Sequence, residues 1–247
     1  MKKKILAIAL VAIMAVVAVT GISLAYFTDT DSATNVFTAG NVKIDLTEAD
    51  VVSDELGNLV ADPDGSRHDV LDDEEDVYDY GKLYPAQSIY KDPTVEVLGS
   101  EDAYIAFKVT ITDGAGDLHK VIGVEGYDNI DISPLVSGGL AGETVEQSTG
   151  YNGLPMVYMN ENYAVYQVAD KENGTYVLYF FVEAVQSKGD KVVLFDTITI
   201  PEKWDNAEMG QLVELSIRID AYAVQSRGFD SCYEAMTSAF ETEFAFN

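Results

Sequence analysis

Apolar and polar residues alternate along much of this chain, with the period of two that is typical of β-strands with one buried face. In residues 103–111 and again in residues 213–219, every odd-numbered position is apolar, and polar residues fall only on even-numbered positions. We predict half-buried strands there. Residues 176–185 and 192–200 are mostly apolar on both faces, which predicts strands inside a sheet. Shorter candidates are residues 94–98 and 163–168.

Turn signals separate these segments, and a helix is indicated in only one place. Turns rich in glycine lie at residues 113–117, 137–139, 173–174 and 188–190. Several strands with few helices predict an all-β chain, folded as a two-sheet antiparallel sandwich of the jelly-roll type. The exception is near the C-terminus, where Ser231 and Glu234 fit a capping box and predict a helix packed on the end of a sheet.

Residues 49–81 interrupt the alternation with a dense run of acidic side chains. They include the segment Asp62-Pro63-Asp64-Gly65-Ser66 and the run from Asp72 to Asp76, and they contain few apolar residues. Like charges at this density repel one another and favour solvent exposure. We therefore expect a long acidic insertion loop on the surface of a single domain that spans residues 41–247.

The first 25 residues have the three-part pattern of a secretory signal peptide. Three lysines precede an uncharged apolar run over residues 5–24, and the small residues Ser23 and Ala25 occupy positions −3 and −1 of a cleavage site before Tyr26. We predict cleavage between Ala25 and Tyr26 and secretion of the remaining chain. The alternative is a permanent membrane anchor, because the apolar run is long enough to span a bilayer.

The secreted chain is expected to be strongly acidic. The whole chain has 15 basic and 42 acidic residues, and losing three lysines with the signal peptide leaves 12 against 42, a net charge of −30. Such a surface repels nucleic acid and anionic lipid, so neither is an expected partner. The single cysteine, Cys232, excludes an intrachain disulfide. Its place in the predicted helix favours a buried side chain over an intermolecular disulfide.

Several motifs resemble the TasA/camelysin family. At the N-terminus they are Leu-Ala-Tyr-Phe-Thr-Asp-Thr-Asp at residues 24–31 and Asn-Val-Phe-Thr-Ala-Gly-Asn-Val-Lys-Ile at residues 35–44. Residues 83–105 follow a family pattern of a Leu-x-Pro-Gly turn and two strands, with Ala86 where the family commonly has glycine. Residues 221–229, followed by the predicted helix, resemble the family's terminal strand and helix.

The resemblance implies a secreted jelly-roll protein of Gram-positive bacteria that is exported through the dedicated signal peptidase SipW and builds biofilm-matrix fibres. Its location would be the extracellular matrix or the cell surface. Its partners would be further copies of itself and other matrix or surface proteins, with no membrane contact after cleavage.

For assembly, we expect residues 26–40 to act as a donor strand that adds to an exposed sheet edge of a neighbouring subunit. Tyr26 with Phe27, and Val36 with Phe37, would anchor the donor in the acceptor. Cleavage before Tyr26 would free this segment and tie assembly to export. The alternative is that the segment pairs within its own subunit.

A metalloprotease is a competing hypothesis, because camelysins are described as such enzymes. A zincin needs two histidines and a glutamate in a His-Glu-x-x-His motif on a helix. His68 and His119 are the only histidines of this chain, and neither lies in such a motif. We therefore predict no catalytic residue and no enzyme activity.

A monomeric calcium-binding surface adhesin is a third hypothesis. Asp62, Asp64 and Ser66 stand at alternate positions, as at the start of a calcium loop, and calcium favours carboxylate and carbonyl oxygens. Asp72 and Asp73 are additional candidate ligands. The plainer interpretation is a solvated acidic loop without a metal.

Overall fold

The computed structural model describes residues 28–31, 41–70, 83–114, 118–142, 146–148, 157–159, 162–210 and 215–244. These residues form an all-β chain, as the alternation predicts, with mostly antiparallel strands in three sheets. Three helices accompany them: α1 (Leu118–Ile122), α2 (Asn206–Gly210) and α3 (Cys232–Ala239). In the described part of the chain, no helix is long and apolar enough to cross a membrane; the run at 5–24 lies outside it.

The largest sheet has seven strands and includes the longest strands of the chain. In spatial order they are β1 (Thr28–Asp31), β16 (Leu215–Gln225), β8 (Ala103–Asp113), β13 (Thr175–Gln186), β12 (Tyr163–Asp170), β11 (Val157–Met159) and β10 (Glu146–Ser148). Every neighbouring pair is antiparallel. The interior position of β13 confirms the prediction from its apolar residues.

Two smaller sheets complete the described fold. The four-stranded sheet has the order β14 (Lys191–Val193), β7 (Thr94–Val97), β2 (Ile44–Ala49) and β5 (Arg67–Asp69). The five-stranded sheet has the order β3 (Val51–Ser53), β4 (Leu59–Ala61), β6 (Ser88–Tyr90), β15 (Thr197–Thr199) and β9 (Val136–Ser137).

The prediction of one interior strand over residues 192–200 is wrong. This segment divides between β14, at an edge of the four-stranded sheet, and β15, inside the five-stranded sheet. The chain crosses from one sheet to the other at Leu194 and Phe195, and both side chains are buried in the main core. The segment is apolar on both faces because the chain is buried where it crosses between the sheets. An apolar run alone does not distinguish such a crossing from a buried strand.

The main hydrophobic core joins one face of the large sheet to the four-stranded sheet. Ile105, Phe107 and Phe180 of the large sheet belong to the same buried cluster as Leu46 of β2 and Val95 of β7. Burying a side chain of this size contributes about 1.5–3 kcal/mol. This cluster therefore supplies much of the stability of the domain.

The other face of the large sheet is covered at its centre by α3. Tyr104, Phe181 and Tyr222 form a second buried cluster with Met236 of α3 and with Phe244. The strands β8 and β16 are therefore buried on both faces at this end, because their even-numbered positions change from polar to apolar towards the helix. The prediction that one face is buried holds for the rest of β8, but in β16 it is wrong at Ile217, which is 36% exposed.

The helix α3 confirms the predicted C-terminal helix. The Ser231 side chain accepts a hydrogen bond from the Glu234 N–H at 3.2 Å. The Glu234 carboxylate reaches back to the N–H of Asp230 at 2.9 Å, one residue before the partner that a capping box predicts. Cys232 and Met236 are fully buried against the sheet.

The first part of the acidic insertion is not a loop, which corrects the prediction for residues 49–81. Residues 50–70 contain β3, β4 and β5, and only 71–82 lie outside the described residues. In the turn between β3 and β4, the Asp54 carboxylate accepts hydrogen bonds from the N–H groups of Leu56 and Asn58, both at 2.8 Å. Acidic residues here serve as turn formers, a role that charge density does not reveal.

A polar clamp, formed by the buried Glu48, Lys91 and Asp92 together with the more exposed Arg67, connects the two smaller sheets. The Lys91 ammonium lies 2.6 Å from both carboxylate oxygens of Glu48. The Asp92 carboxylate accepts hydrogen bonds from the Arg67 guanidinium at 2.7 Å and from the Ala49 N–H at 2.8 Å. Since Lys91 and Asp92 lie between β6 and β7, the clamp fixes the five-stranded sheet against β2 and β5 of the four-stranded sheet.

The turn that precedes β6 contains a strained alanine. The Gln87 N–H donates to the Tyr84 carbonyl at 3.1 Å, and Ala86 has a φ of 65°. With Pro85 before it, this is a type II turn, which favours glycine at the position of Ala86. The departure from the family pattern noted at Ala86 therefore carries an energetic cost.

Ala86→Gly is expected to stabilise the protein by roughly 0.5–1 kcal/mol. The substitution relieves about 1–2 kcal/mol of left-handed backbone strain. Glycine also raises the conformational entropy of the unfolded chain, which offsets part of this gain. Thermal unfolding followed by fluorescence of Trp204, which is 7% exposed, measures the change. Ala207→Gly, at an exposed position of α2, is the matched control and should destabilise. A loss of stability from Ala86→Gly equal to the control would contradict this account.

Three carboxylates lie close together on the solvent face of the four-stranded sheet. Asp45 stands directly opposite Glu96 of β7, and Asp69 lies on β5 beside Thr47. Burial and the negative charges of Asp69 and Glu96 raise the pKa of Asp45, against a smaller opposing effect of Lys43. The ionised carboxylate of Asp45 is therefore disfavoured in the folded state.

Asp45→Asn is expected to stabilise the protein at pH 7 and to have no such effect near pH 3. A carboxyl group whose pKa is higher in the folded state than in the unfolded state destabilises the folded protein as the pH rises. This effect begins near the unfolded-state pKa and is complete above the folded-state pKa. The gain should be roughly 0.2–1 kcal/mol and should shrink in salt. Urea unfolding at the two pH values measures it, with the exposed Glu101→Gln as control. An equal gain at both pH values would show that the effect is not electrostatic.

Candidate assembly edge of the large sheet

The strand β1 forms one edge of the large sheet by pairing with β16. The register places Thr28 opposite Val224 and Asp31 opposite Ala221. The sequence of β1 is Thr-Asp-Thr-Asp, with no apolar residue, and aspartate is depleted in strands. Its main-chain hydrogen bonds each contribute only about 0.5–1.5 kcal/mol net. By composition, β1 is therefore a weakly held edge strand.

The acceptor edge, as we call residues 221–224 of β16, borders both hydrophobic clusters. Ala221 and Ala223 belong to the main core, whereas Tyr222 and Val224 belong to the second cluster, and all four are at most 5% exposed. Without a strand beside it, this edge would present unpaired main-chain groups together with the margins of two cores, which natural sheets avoid. The acceptor edge is therefore more stable when a strand pairs with it, whichever chain supplies that strand.

Aromatic side chains make the surroundings of the acceptor edge rigid. The Tyr222 ring centre lies 5.0 Å from those of both Phe240 and Phe244, edge to face in each case. Phe244 also packs on Tyr179, with 5.4 Å between ring centres. Such pairs contribute about 0.5–1.5 kcal/mol beyond the area they bury. Burial raises the pKa of Tyr179 to about 12, so its hydroxyl stays protonated at neutral pH.

Two ion pairs border this aromatic cluster. Lys108 Nζ lies 2.7 Å from the Glu243 carboxylate, and the Arg218 guanidinium lies 2.9 Å from Asp220. The hydrogen bond from Lys108 lowers the pKa of Glu243, and the bond to Asp220 raises the pKa of Arg218. Partly exposed pairs of this kind add little net stability. The Lys108–Glu243 pair links the end of the chain to β8, whereas the Arg218–Asp220 pair lies within β16.

The predicted donor residues are only partly described. Tyr26, Phe27, Val36 and Phe37 lie outside the described residues, as do the cleavage-site residues Ser23 and Ala25. The segment between the two aromatic pairs contains β1, which pairs with β16 of the same chain. Within this single chain, the structure thus shows the alternative arrangement for residues 28–31, in which the segment completes its own subunit.

The candidate calcium residues Asp62, Asp64 and Ser66 come together in one turn. Asp62 Oδ1 accepts from the Asp64 N–H at 3.0 Å, and Asp64 Oδ1 accepts from the Ser66 N–H at 2.8 Å. These oxygens are therefore engaged by the turn itself. Asp72 and Asp73 lie outside the described residues. Over the described ranges, no group of three or more histidine, cysteine, aspartate or glutamate side chains is arranged to hold a metal ion.

The two histidines lie on separate elements. His68, on β5, has its Nδ1 atom 2.7 Å from the Asp50 carboxylate, and both side chains are about 40% exposed (42% and 41%). His119 lies in α1. The hydrogen bonds from Ser66 and His68 lower the pKa of Asp50. His68 thus has the surroundings of an exposed surface histidine paired with one carboxylate.

Cys232 is buried, as its place in the predicted helix indicates. Its Sγ atom lies 3.2 Å from the Ile105 carbonyl oxygen, to which the thiol donates, and the residue has no exposed surface. Burial raises the pKa of the thiol well above its ordinary value. The thiol is therefore neither accessible nor ionised in the native fold, which leaves no route to an intermolecular disulfide without unfolding.

Sequence reasoning proposed a donor segment but did not identify the edge beside which residues 28–31 lie. The available signal was the alternation of alanine with larger apolar residues at residues 221–224. Small side chains in a long terminal strand mark a place where another strand or core comes close. Comparison of the whole chain with family models, with characterised proteins and with solved structures finds no match.

Proposed function

We propose that this chain is a secreted structural subunit of an extracellular fibre or surface layer, of the kind that the resemblance to the TasA/camelysin family implies. Assembly would occur by exchange of the N-terminal segment at the acceptor edge. The observation that supports this best is the pairing of the all-polar strand β1 with an edge that borders two hydrophobic clusters.

Exchange of the N-terminal segment needs no change of fold, because β1 of one chain can pair with β16 of another in the register seen within one chain. An identical strand from a second copy would make the same main-chain hydrogen bonds that β1 makes in its own subunit, which is the usual route to domain swapping. When each subunit donates forward and accepts from behind, the contact is heterologous and propagates into a filament. The aromatic pairs at Tyr26 and Phe27, and at Val36 and Phe37, would add buried area to a donated strand.

The proposal includes the type of β-sandwich that the sheets form. The described sheets are mostly antiparallel and enclose a shared core. We infer that they belong to a jelly-roll sandwich, as the family resemblance implies. The acidic segment 71–82 would be the remaining insertion on its surface.

Export would precede assembly in this scheme. Cleavage between Ala25 and Tyr26 would release the donor segment outside the cell and leave a free α-amino group at Tyr26. Mass spectrometry of the secreted protein should then find an N-terminus at Tyr26, or within a residue or two of it. A secreted or surface form that retains residues 2–24 would favour a membrane anchor. Cleavage could then not be the event that frees the donor segment for assembly.

One experiment separates the structural function from the competing enzyme. Purified mature protein is incubated at physiological ionic strength and inspected by electron microscopy, and a parallel sample with zinc is tested on casein. Fibres without proteolysis are expected. A monomeric sample that cleaves casein in an EDTA-sensitive way, with loss of cleavage on His68→Ala or His119→Ala, would establish the metalloprotease instead.

A further inference from the structure

We propose that the β3–β4 hairpin is a docking surface for a basic protein partner that offers an apolar contact surface. Eight large hydrophobic side chains are exposed among the described residues, and four of them lie on this hairpin and the turn beside it: Val52, Leu56, Val60 and Tyr84. We call these four the apolar tip. Leu56 is 87% exposed and Tyr84 is 58% exposed, and Val52 and Val60 are cross-strand partners.

The apolar tip is held in place before any partner binds. The Gln87 side chain donates to the Gly57 carbonyl and accepts from the Tyr84 N–H, both at 3.0 Å. The Asn58 side-chain oxygen accepts from the Ser88 N–H at 3.0 Å. These bonds fasten the hairpin turn to the turn that carries Tyr84. A contact surface that is already ordered loses less conformational entropy on binding, which favours affinity.

The charges around the apolar tip identify the chemistry of the partner. Residues 50–66 contain five acidic side chains and no lysine, arginine or histidine. They are Asp50, Asp54, Glu55, Asp62 and Asp64. An apolar centre with an acidic rim is complementary to an apolar surface with a basic rim, since interfaces match apolar cores and opposite potentials.

A second copy of this chain does not supply such a rim. If two apolar tips met, the acidic residues around them would face one another, and like charges brought together across an interface oppose association. Six of the described basic residues are already engaged in ion pairs within the chain: Arg67, Lys91, Lys108, Lys171, Lys191 and Arg218. The partner is therefore a different, basic protein, and this surface is separate from the acceptor edge.

The test uses the secreted protein and two synthetic peptides. One is an amphipathic helix of lysine and leucine, and the other has serine in place of every leucine. The double variant Leu56→Ser/Tyr84→Ser removes the two most exposed apolar side chains, and Val168→Ser, at an exposed position elsewhere (39%), is the matched control. Unchanged fluorescence of Trp204 verifies that each variant is folded.

By titration calorimetry, the lysine–leucine peptide should bind the parent protein and the Val168→Ser control equally. It should bind the double variant at least about tenfold more weakly, the loss expected for one large apolar side chain left unburied. The lysine–serine peptide should bind weakly and without regard to the variant. Equal binding of the lysine–leucine peptide to parent and double variant would overturn the proposal. So would fibres that form in the parent and fail in the double variant, because the apolar tip would then be a contact between copies.

Discussion

Mature protein that begins at Gly40 is expected to fold and to remain monomeric, whereas the form that begins at Tyr26 assembles. Among the described residues, the first buried strand of the core is β2, which starts at Ile44, and the truncation removes none of the residues that form the main core there. It removes β1 and the two proposed anchor pairs, and therefore the only segment that we propose to be donated. Size-exclusion chromatography and electron microscopy of the two forms measure the difference.

Point variants refine this prediction. Phe37→Ala should weaken assembly far more than Asp31→Ala, because loss of one buried phenylalanine typically costs about 3–5 kcal/mol, whereas Asp31 adds no apolar area. The truncated protein keeps an open acceptor edge, so it should bind a synthetic peptide of residues 26–38 with one-to-one stoichiometry. Fibres formed equally well by the truncated protein would show that the donor is another segment.

Asp92→Ala is expected to lower the free energy of unfolding by about 1–3 kcal/mol, the cost of leaving a buried hydrogen-bond donor without its acceptor. The Asp92 side chain is 8% exposed, and its loss leaves the Ala49 N–H without its acceptor and removes one hydrogen bond of the Arg67 guanidinium, which keeps its bonds to Thr47 and to the Asp92 carbonyl. A domain typically has only about 5–15 kcal/mol of stability, so this loss should be a measurable fraction of the total.

The control for this prediction removes an ion pair that is exposed. Lys171→Ala breaks the contact with Asp128, in which both side chains are about half exposed (46% and 60%). Such a pair is worth at most about 1 kcal/mol. Urea unfolding followed by fluorescence of Trp204 compares the two variants. Equal small losses for Asp92→Ala and Lys171→Ala would mean that the clamp is not an important contact between the sheets.

The fold class was predictable because strand alternation reports burial directly. The strands β8, β12, β13 and β16, together with the capped helix α3, follow from apolar spacing and from Ser231. The division of residues 192–200 between two sheets was not predictable. A buried chain crossing and a buried strand both consist of a run of apolar residues, so their sequence patterns are the same. Pairing order also depends on long-range contacts that periodicity does not contain.

The site was harder to predict than the fold. The clamp joins residues that are 43 positions apart, Glu48 and Lys91, and a charged residue within an acidic chain carries no local sign that it is buried. The strands β3 to β5 were hidden by the same acidic composition, since Asp54 and Asp64 act through their turn geometry. The N-terminal segment was identified through family resemblance, whereas its partner strand required coordinates.

The central claim is that residues 28–31 occupy the acceptor edge of a neighbouring subunit in the assembled state. Asp29 and Ala223 are register partners, at a separation that suits a disulfide, and the native Cys232 is fully buried. The double variant Asp29→Cys/Ala223→Cys is allowed to assemble, oxidised and run on a denaturing gel without reductant. The account predicts a ladder of covalently linked multimers. A single band at the mass of one chain, from a sample that contains fibres, would contradict it, because β1 would then remain in its own subunit.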